Sequence, residues 1–260
     1  MPGWDHPDTA RYYEAFCEVH DRYRAANCEL IAHASLNGCE RLLDLAAGTG
    51  RTAEVALGFL NQSARVVCYE PSEAMQTAGR NRLNDPRISW TRSAPDACEA
   101  FDRILCGAAI WQLLPLADTF EGMASMLAPG GRLVFNVPSQ YLGEPDEPGG
   151  GADPLLCELP ARIAEGRVPN ATAVDPISAR TIEHALADAG FEWERWRHRS
   201  RLTQAALRDW MKIPVLTEAL LGDLDADARA ARIDAAFEKV DPDSWRWEEW
   251  SGWTAWLKLP

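Results

Sequence analysis

Apolar residues recur along the chain with two different spacings, and the change between them divides the sequence. Over residues 8–35 the spacing is helical, with Tyr12, Phe16 and Tyr23 on one stripe and Asp8 placed to cap the first turn. From Arg41 onward, short apolar runs alternate with amphipathic segments. The runs are RLLDLA, ARVVCYE, RISWTR, DRILCGAAI and GRLVFNV. Strands that alternate with helices indicate βαβ units, so a long helix followed by a mainly parallel sheet is expected.

The pattern changes again in the second half of the chain. Residues 138–175 lose periodicity and are dense in Pro and Gly, which predicts a loop. A helix capped by Ser178 then precedes the strand-like FEWERWRHRSRL, residues 203–245 are helical and rich in Ala, and GWTAWLKL is a last strand. We therefore expect an α/β fold: a doubly wound, mostly parallel seven-stranded sheet with an antiparallel C-terminal strand and helices on both faces.

Composition and charge narrow the classes of function. The chain has 260 residues, of which 47% are apolar and 25% charged, as in an ordinary globular protein. Its formal net charge of -13 repels phosphate backbones, which disfavours nucleic acid as a partner. No apolar run reaches the roughly 18 to 20 residues of a membrane helix, and the first residues lack a signal-peptide pattern. These features predict a cytoplasmic protein with no nucleic-acid or membrane partner.

Cysteine and tryptophan each follow a recognisable distribution. Seven cysteines are scattered without a C-x-x-C pair, which favours reduced core thiols over disulfides or metal ligands. Eight of the eleven tryptophans lie after residue 190. Trp193, Trp196, Trp253 and Trp256 fall on the two terminal strands, where large rings would cover a sheet face. Most of the tryptophan excess is therefore expected to be structural.

The stretch RLLDLAAGTGRTA predicts a ligand site after the first strand. Asp44 ends that strand, and Gly48 and Gly50 precede a helix whose N-terminus offers unpaired N–H groups. The loop also matches the dinucleotide pattern G-x-G-x-x-G/A. Asp44 would repel a pyrophosphate, however, and Glu70 at the end of the next strand can accept both hydroxyls of a ribose. S-adenosylmethionine, which has a sulfonium, a ribose and no phosphate, fits both carboxylates; the simpler alternatives are that Asp44 caps the helix and Glu70 is a first-turn carboxylate.

Three motifs resemble those of the class I, Rossmann-like S-adenosylmethionine-dependent methyltransferases, in the branch that acts on small molecules. LLDLAAGTG is similar to the family's first motif, VVCYEPSEAM to its ribose-binding strand and helix, and MLAPGGRLVF to its turn into the fifth strand. The resemblance runs from Glu40 to Pro138 and implies S-adenosylmethionine as cofactor. It also implies a helical lid, which divides the chain into a lid over 1–35 and a methyltransferase domain over 36–260, with insertions at 138–175 and 203–245.

Carried over by position, the resemblance assigns a set of residues to the cofactor. The loop after the first strand would hold the methionine part, Glu70 the ribose, and Pro71 or Met75 the adenine. Ser93 stands where the family often has an acidic residue. Gly107 and Ala108 would leave room for the methyl group. The full set is Asp44, Ala46, Gly48, Thr49, Gly50, Glu70, Pro71, Met75, Ser93, Ala94, Gly107 and Ala108.

The acceptor site has no fixed motif, because methyl transfer from a sulfonium is an in-line displacement that depends chiefly on alignment. Trp111, Gln112 and Tyr12 are candidates for contact with the acceptor, and His20 and Tyr13 for a catalytic role. No carboxylate cluster follows a strand, so we expect no metal ion. The acidic and apolar insertions favour a small acceptor that is neutral, cationic or aromatic.

The sequence therefore predicts a methyltransferase that acts on an oxygen or nitrogen atom of a small organic molecule. Three alternatives remain open. They are a same-fold S-adenosylmethionine-binding enzyme with non-methylating chemistry such as cyclisation or decarboxylation, an NAD-type oxidoreductase, and a non-catalytic binding protein.

Overall fold

The fold is a seven-stranded sheet with helices on both faces. A computed structural model of the chain describes residues 3–95, 99–142, 177–238 and 240–258. The strands are β1 (Arg41–Leu45), β2 (Arg65–Tyr69), β3 (Ile88–Thr91), β4 (Phe101–Gly107), β5 (Leu127–Pro138), β6 (Phe191–Thr203) and β7 (Trp245–Leu257). The helices are α1 (Pro7–Val19), α2 (Arg22–Ala34), α3 (Arg51–Leu57), α4 (Glu73–Arg82), α5 (Leu116–Met126), α6 (Ala179–Asp188), α7 (Gln204–Met211), α8 (Glu218–Leu221) and α9 (Ala226–Phe237). Short 3-10 helices span Ile110–Gln112, Ser139–Leu142 and Pro214–Leu216.

The strand order explains where a ligand site can form. The strands lie in the order β3-β2-β1-β4-β5-β7-β6. The chain moves outward from β1 to β3 and then returns to pair β4 with the other side of β1. A reversal of this kind opens a crevice at the carboxyl ends of the strands on either side of it. The predicted fold class is confirmed: β7 runs antiparallel to β5 and β6, and the other described pairs are parallel.

The central strands are buried on both faces because helices cover each of them. Leu42 of β1 packs in one apolar cluster with Leu30 of α2, whereas its neighbour Leu43 packs in another with Phe120 of α5. Successive side chains of a strand point to opposite faces, so both positions must be apolar. This is why the parallel strands read as near-continuous apolar runs.

The single helix predicted over residues 8–35 is in fact two helices with different roles. His20 has an extended backbone, and α2 begins after Asp21. Helix α1 packs through Phe16 against the helical insertion, which contains α7, α8 and α9. Helix α2 belongs to the core, where Leu30 and neighbouring residues are buried against the sheet. The helical part of residues 1–35 therefore divides between α1, which packs on the helical insertion, and α2, which packs on the sheet; the lid itself stays a prediction.

Trp196 and Trp253 of the last two strands pack within the sheet, as predicted, whereas Trp245 and Trp247 of β7 are exposed. Trp253 is fully buried and stacks on Phe135 of β5 with ring centroids 5.2 Å apart. Trp196 faces Gly252 across the β6–β7 pair, and a β-carbon at Gly252 would overlap the indole ring. Glycine is required there because the Trp196 ring occupies the space of a side chain.

The described cysteines are free thiols, and most are shielded. Cys39, Cys68 and Cys106 are buried, whereas Cys28 is exposed, contrary to a purely internal role. Cys98, Cys157 and most of the predicted insertion at 138–175 lie outside the described residues. None of the described helices has the length and apolarity needed to cross a membrane.

Candidate active site

A cavity of about 420 Å³ lies at the carboxyl ends of the strands that flank the reversal in strand order. Its volume is in the range of small-molecule sites. Loops after β1, β2 and β4 form one part of the wall, while α1, α2 and the helical insertion form the rest. The predicted residues among its lining are Ala46, Gly48, Glu70, Pro71, Met75, Gly107, Ala108, Tyr13, Trp111 and Gln112.

The backbone around this cavity adopts conformations that side chains disfavour. Gly48 and Gly50 have φ of 56° and 77°, the left-handed region in which glycine carries no penalty. Ala46 and Ala108 also have φ of 55° although each carries a β-carbon, which costs on the order of 1 kcal/mol or more. Both alanines line the cavity. Strain is thus concentrated in the two loops that would face a ligand.

Glu70 links the loops that follow β1 and β2. Its carboxylate accepts hydrogen bonds from the amides of Gly48, at 2.8 Å, and Ser72, at 2.9 Å. The residue is 7% exposed, and burial raises its pKa while the two amide hydrogen bonds act to lower it. A carboxylate offers about four lone-pair positions, so Glu70 retains capacity to accept hydrogen bonds from a ligand in the cavity.

Asp44 is not among the residues that line the cavity, and its predicted contact with the cofactor stays a prediction. It is 1% exposed, and its Oδ2 atom accepts a hydrogen bond of 3.0 Å from the Ala53 amide in the first turn of α3. The Oδ1 atom is buried without a hydrogen-bond partner. Burial raises the pKa of Asp44 to about 7. The carboxylate therefore makes the helix-capping contact of the simpler alternative.

Four further predicted cofactor residues also lie away from the cavity. Thr49 is buried and donates its hydroxyl hydrogen bond to Glu14. Gly50 begins α3 against Trp90, where a β-carbon would come within 2.9 Å of the ring. Ser93 and Ala94 are exposed, because the chain turns outward after β3 ends. Both residues therefore lie at the surface of the described structure, and the adenine contact predicted for them stays a prediction.

Helix α1 is held over the glycine loop by the carboxylate of Glu14. Arg51 donates to it at 2.6 Å, and Arg82 forms a second ion pair at 3.2 Å. Thr49 donates a hydrogen bond to the same group. Glu14 thus joins α1 to the loop after β1 and to the end of α4.

The residues before α1 close another side of the cavity. Ser72 donates a hydrogen bond of 2.9 Å to the carbonyl oxygen of Trp4, and Asp5 accepts one of 2.8 Å from the Glu73 amide. The amide hydrogen bonds at the start of α4 lower the pKa of Asp5. The Trp4 ring meets Tyr13 edge to face at 6.2 Å. The N-terminal segment therefore forms a wall of the site.

The candidates for catalysis and acceptor contact divide between two surfaces. Tyr13, Trp111 and Gln112 line the cavity. Tyr12 and His20, by contrast, are not among the lining residues: the Tyr12 hydroxyl donates to Asp227 at 2.9 Å, and the His20 ring lies 2.9 Å from Asp209. These two side chains fasten α1 to the helical insertion, and the roles predicted for them toward the substrate stay predictions.

Sequence reasoning missed an aromatic group on the acceptor side of the cavity. Trp111 stacks on Tyr141 with centroids 4.5 Å apart. Trp210 donates a hydrogen bond of 2.9 Å to the Tyr23 hydroxyl. Trp210 on α7 brings the helical insertion to the cavity wall. The sequence did not identify Tyr23 as a residue of the cavity, because the start of a separate helix α2 at this point was not predicted.

A buried ion pair lies beside these rings. The Nη2 atom of Arg22 lies 2.5 Å from Oε1 of Glu248 on β7, and the two side chains are 3% and 2% exposed. Trp250 donates a further hydrogen bond to the same carboxylate at 3.1 Å. The Arg22 guanidinium also lies 4.4 Å from the ring centre of Trp210. Its Nη1 atom is buried with no hydrogen-bond partner, which costs about 1–3 kcal/mol or more for a charged group.

No three His, Cys, Asp or Glu side chains among the residues described are placed together to hold a metal ion. The cavity therefore offers hydrogen-bonding and aromatic groups, with charged side chains already engaged by protein partners.

Comparison with known proteins identifies a family and individual proteins to which the chain is similar. Residues 19–195, more than half of the chain, match the model of a family described as methyltransferase domain. The demethylmenaquinone methyltransferase of Clavibacter sepedonicus is 34% identical over 101 residues, which cover 37% of this chain and 40% of that protein. A ubiquinone/menaquinone biosynthesis C-methyltransferase of Yersinia pestis is 27% identical over 168 residues, covering 59% and 66%. The aligned part thus spans less than two thirds of either relative.

A solved structure extends the similarity over nearly the whole chain. The S-adenosylmethionine-dependent methyltransferase of Geobacter sulfurreducens, in complex with S-adenosylhomocysteine, superposes with a TM-score of 0.57 at 14% identity. The match covers 95% of this chain and 98% of that one. At this identity the comparison shows a shared fold.

Proposed function

The chain belongs to the methyltransferase domain family, in its class I, S-adenosylmethionine-dependent form, and on that premise we propose that it methylates an oxygen or nitrogen atom of a small organic molecule. The observation that carries the proposal is the cavity in which the loop after β1 meets the buried carboxylate of Glu70. When bound, S-adenosylmethionine supplies an electrophilic methyl group on its sulfonium.

The residues present fit this cofactor. Glu70 has acceptor capacity left for the hydroxyls of a ribose, and Gly48 leaves the loop backbone open beside it. Gly107 ends β4 at the cavity wall, where a β-carbon would lie 2.6 Å from Oγ1 of Thr52. In the proposed complex Glu70 holds the ribose, the Ala46–Gly48 backbone holds the amino-acid part, and Pro71 with Met75 flanks the adenine.

The chain's own contribution to catalysis is alignment and exclusion of water. Trp4 and Tyr13 close the cavity from the lid, while Trp111 provides a flat face for the acceptor. Burial raises the pKa of Tyr13 well above its usual value, and that of Tyr141 as well, so both hydroxyls stay neutral. A neutral phenol donates or accepts hydrogen bonds but is a weak base. The arrangement therefore favours an acceptor atom that is nucleophilic without prior loss of a proton to the protein.

The acceptor we propose is neutral, cationic or aromatic. The aromatic rings around the cavity support this, because they attract flat or cationic groups. The described lining also offers no unpaired cation that would attract an anionic polymer. The name of the Yersinia relative includes C-methyltransferase activity, so a carbon atom is the competing site of methylation.

Two measurements test the proposal in sequence. Calorimetry measures the affinity of the protein for S-adenosylhomocysteine and for NAD. We expect S-adenosylhomocysteine to bind, and tighter binding of NAD would overturn the proposal. The protein is then incubated with cofactor carrying a carbon-13 methyl group and with panels of phenols, amines and quinols. NMR of the product identifies the methylated atom, and we expect an O-methyl or N-methyl signal. A C-methyl product, or substrate conversion with no transfer of the label, would contradict the oxygen or nitrogen assignment.

A further inference from the structure

The cavity wall includes a polar side chain that has no part in the proposed cofactor contacts. Among the described residues, Arg22 is the cavity-lining residue that has a buried side-chain atom without a hydrogen-bond partner, namely Nη1. Its Nε and Nη2 atoms both donate to Glu248. An arginine N–H buried without an acceptor is unfavourable, and at a cavity wall a ligand atom can supply the missing acceptor.

The charge of this guanidinium is already balanced. Glu248 receives hydrogen bonds from Arg22 at distances from 2.5 to 3.2 Å, and both side chains are almost fully buried. A second negative charge beside the pair would leave an excess of anion in a buried site. The remaining donor therefore suits a neutral oxygen better than a carboxylate or phosphate.

Aromatic rings define the shape of the space next to this donor. Tyr141 stacks on Trp111. Trp210 stacks over the guanidinium and is tied to Tyr23. Flat surfaces of this kind pack best against a planar ring, through offset stacking. Since Nη1 is shielded from solvent, contact with a ligand requires a rotation of a neighbouring side chain, a common adjustment on binding.

Building on the proposed function, we infer that the acceptor is a planar conjugated ring carrying a neutral carbonyl or hydroxyl oxygen, and that Arg22 Nη1 donates a hydrogen bond to that oxygen. Arg22 is then a specificity-determining residue. The Arg22–Glu248 pair orients the acceptor, and the aromatic rings hold its plane.

Matched ligands of one shape test this inference by calorimetry on the full-length protein saturated with S-adenosylhomocysteine. The probes are 1-indanone, indane, 1-aminoindane and indane-1-carboxylate, which share a bicyclic frame and differ in one group. We expect 1-indanone to bind about 10- to 100-fold more tightly than indane, the ratio that a hydrogen bond to a charged donor supplies. Equal affinities, or a preference for the ammonium or carboxylate probe, would overturn the inference.

The variants isolate the arginine. Replacing Arg22 alone leaves the Glu248 charge buried and threatens folding, so the informative variant is Arg22→Met with Glu248→Met, which removes the pair together. In this variant the preference for 1-indanone should fall to within about twofold, and an unchanged preference would exclude Arg22.

Asp85→Asn with Arg87→Met is the matched control, because it removes an ion pair at the opposite, amino end of β3. The control should keep the preference. Failure of the wild-type protein to bind S-adenosylhomocysteine would count against the proposed function; binding of S-adenosylhomocysteine without oxygen selectivity would count against this inference alone.

Discussion

Replacing Glu70 by glutamine tests the cofactor site with the smallest change of shape. The carboxylate accepts one hydrogen bond from Gly48 and one from Ser72. Glutamine keeps one acceptor oxygen but places an NH2 group against the second amide. One of the two loops therefore loses its partner, and the affinity for ribose hydroxyls falls with the charge.

The expected magnitude follows from these contacts. A hydrogen bond to a charged group is worth about 1.5–3 kcal/mol, and burial of the carboxylate, which raises its pKa, offsets part of that gain. We expect Glu70→Gln to lower the free energy of unfolding by about 1–2 kcal/mol. Loss of a comparable interaction with the nucleoside should weaken S-adenosylhomocysteine binding by about 10- to 100-fold.

The assay is calorimetric titration with S-adenosylhomocysteine, accompanied by urea denaturation to confirm that the variant is folded. Glu73→Gln provides a matched control on the next turn: its side chain is 73% exposed and pairs with Arg92 on the surface. That substitution should change neither affinity nor stability measurably. Equal affinities for the two variants would refute the assignment of Glu70 to the nucleoside.

Three further predictions concern the surroundings of the site. Because the pKa of Asp44 is raised from 3.8 to about 7 in the folded state, its contribution to stability is complete below about pH 4 and is lost as the pH rises through 7. Urea denaturation at pH 5 and pH 8 should show a difference of about 3 kcal/mol that Asp44→Asn diminishes; identical pH profiles would contradict this. Gly107→Ala should lower the free energy of unfolding by about 1–3 kcal/mol, since its β-carbon would crowd Oγ1 of Thr52. Thr52→Ala in the same chain should restore part of the loss, and additive losses would argue against the clash. Glu14→Gln should raise the dissociation rate of S-adenosylhomocysteine about 5- to 20-fold in stopped-flow measurements by weakening the hold on α1. Glu18→Gln, exposed on the same helix, is the control, and equal rates would show that the Glu14 contacts do not retain ligand.

Predictions from the sequence succeeded where the information was local. Gly48 and Glu70 each follow a buried strand directly, so strand direction alone brings them to one edge of the sheet. Asp44 lies on its strand as predicted, but the sequence left open whether it caps a helix or faces a ligand, because the direction of its carboxylate depends on the position of α3.

The acceptor side was largely beyond sequence reasoning for a physical reason. Arg22 meets Glu248 across 226 positions of the chain, and nothing in the local pattern around either residue identifies the other. The break between α1 and α2 also hid Arg22 and Tyr23, because the apolar stripe continues in register through Val19 and Tyr23 while the backbone is extended at His20. Contacts of this kind are set by packing of whole elements.

The position of β7 has a consequence for how the protein is made. This strand follows every other described element in the chain, yet it lies inside the sheet between β5 and β6. It also carries Glu248, the partner of Arg22, and Trp250, which donates to that carboxylate. During synthesis, the Arg22 side of the cavity therefore has no counter-charge until residues 245–257 have left the ribosome. Assembly of the acceptor pocket is thereby tied to the synthesis of β7, whereas the Gly48–Glu70 contact joins residues made much earlier.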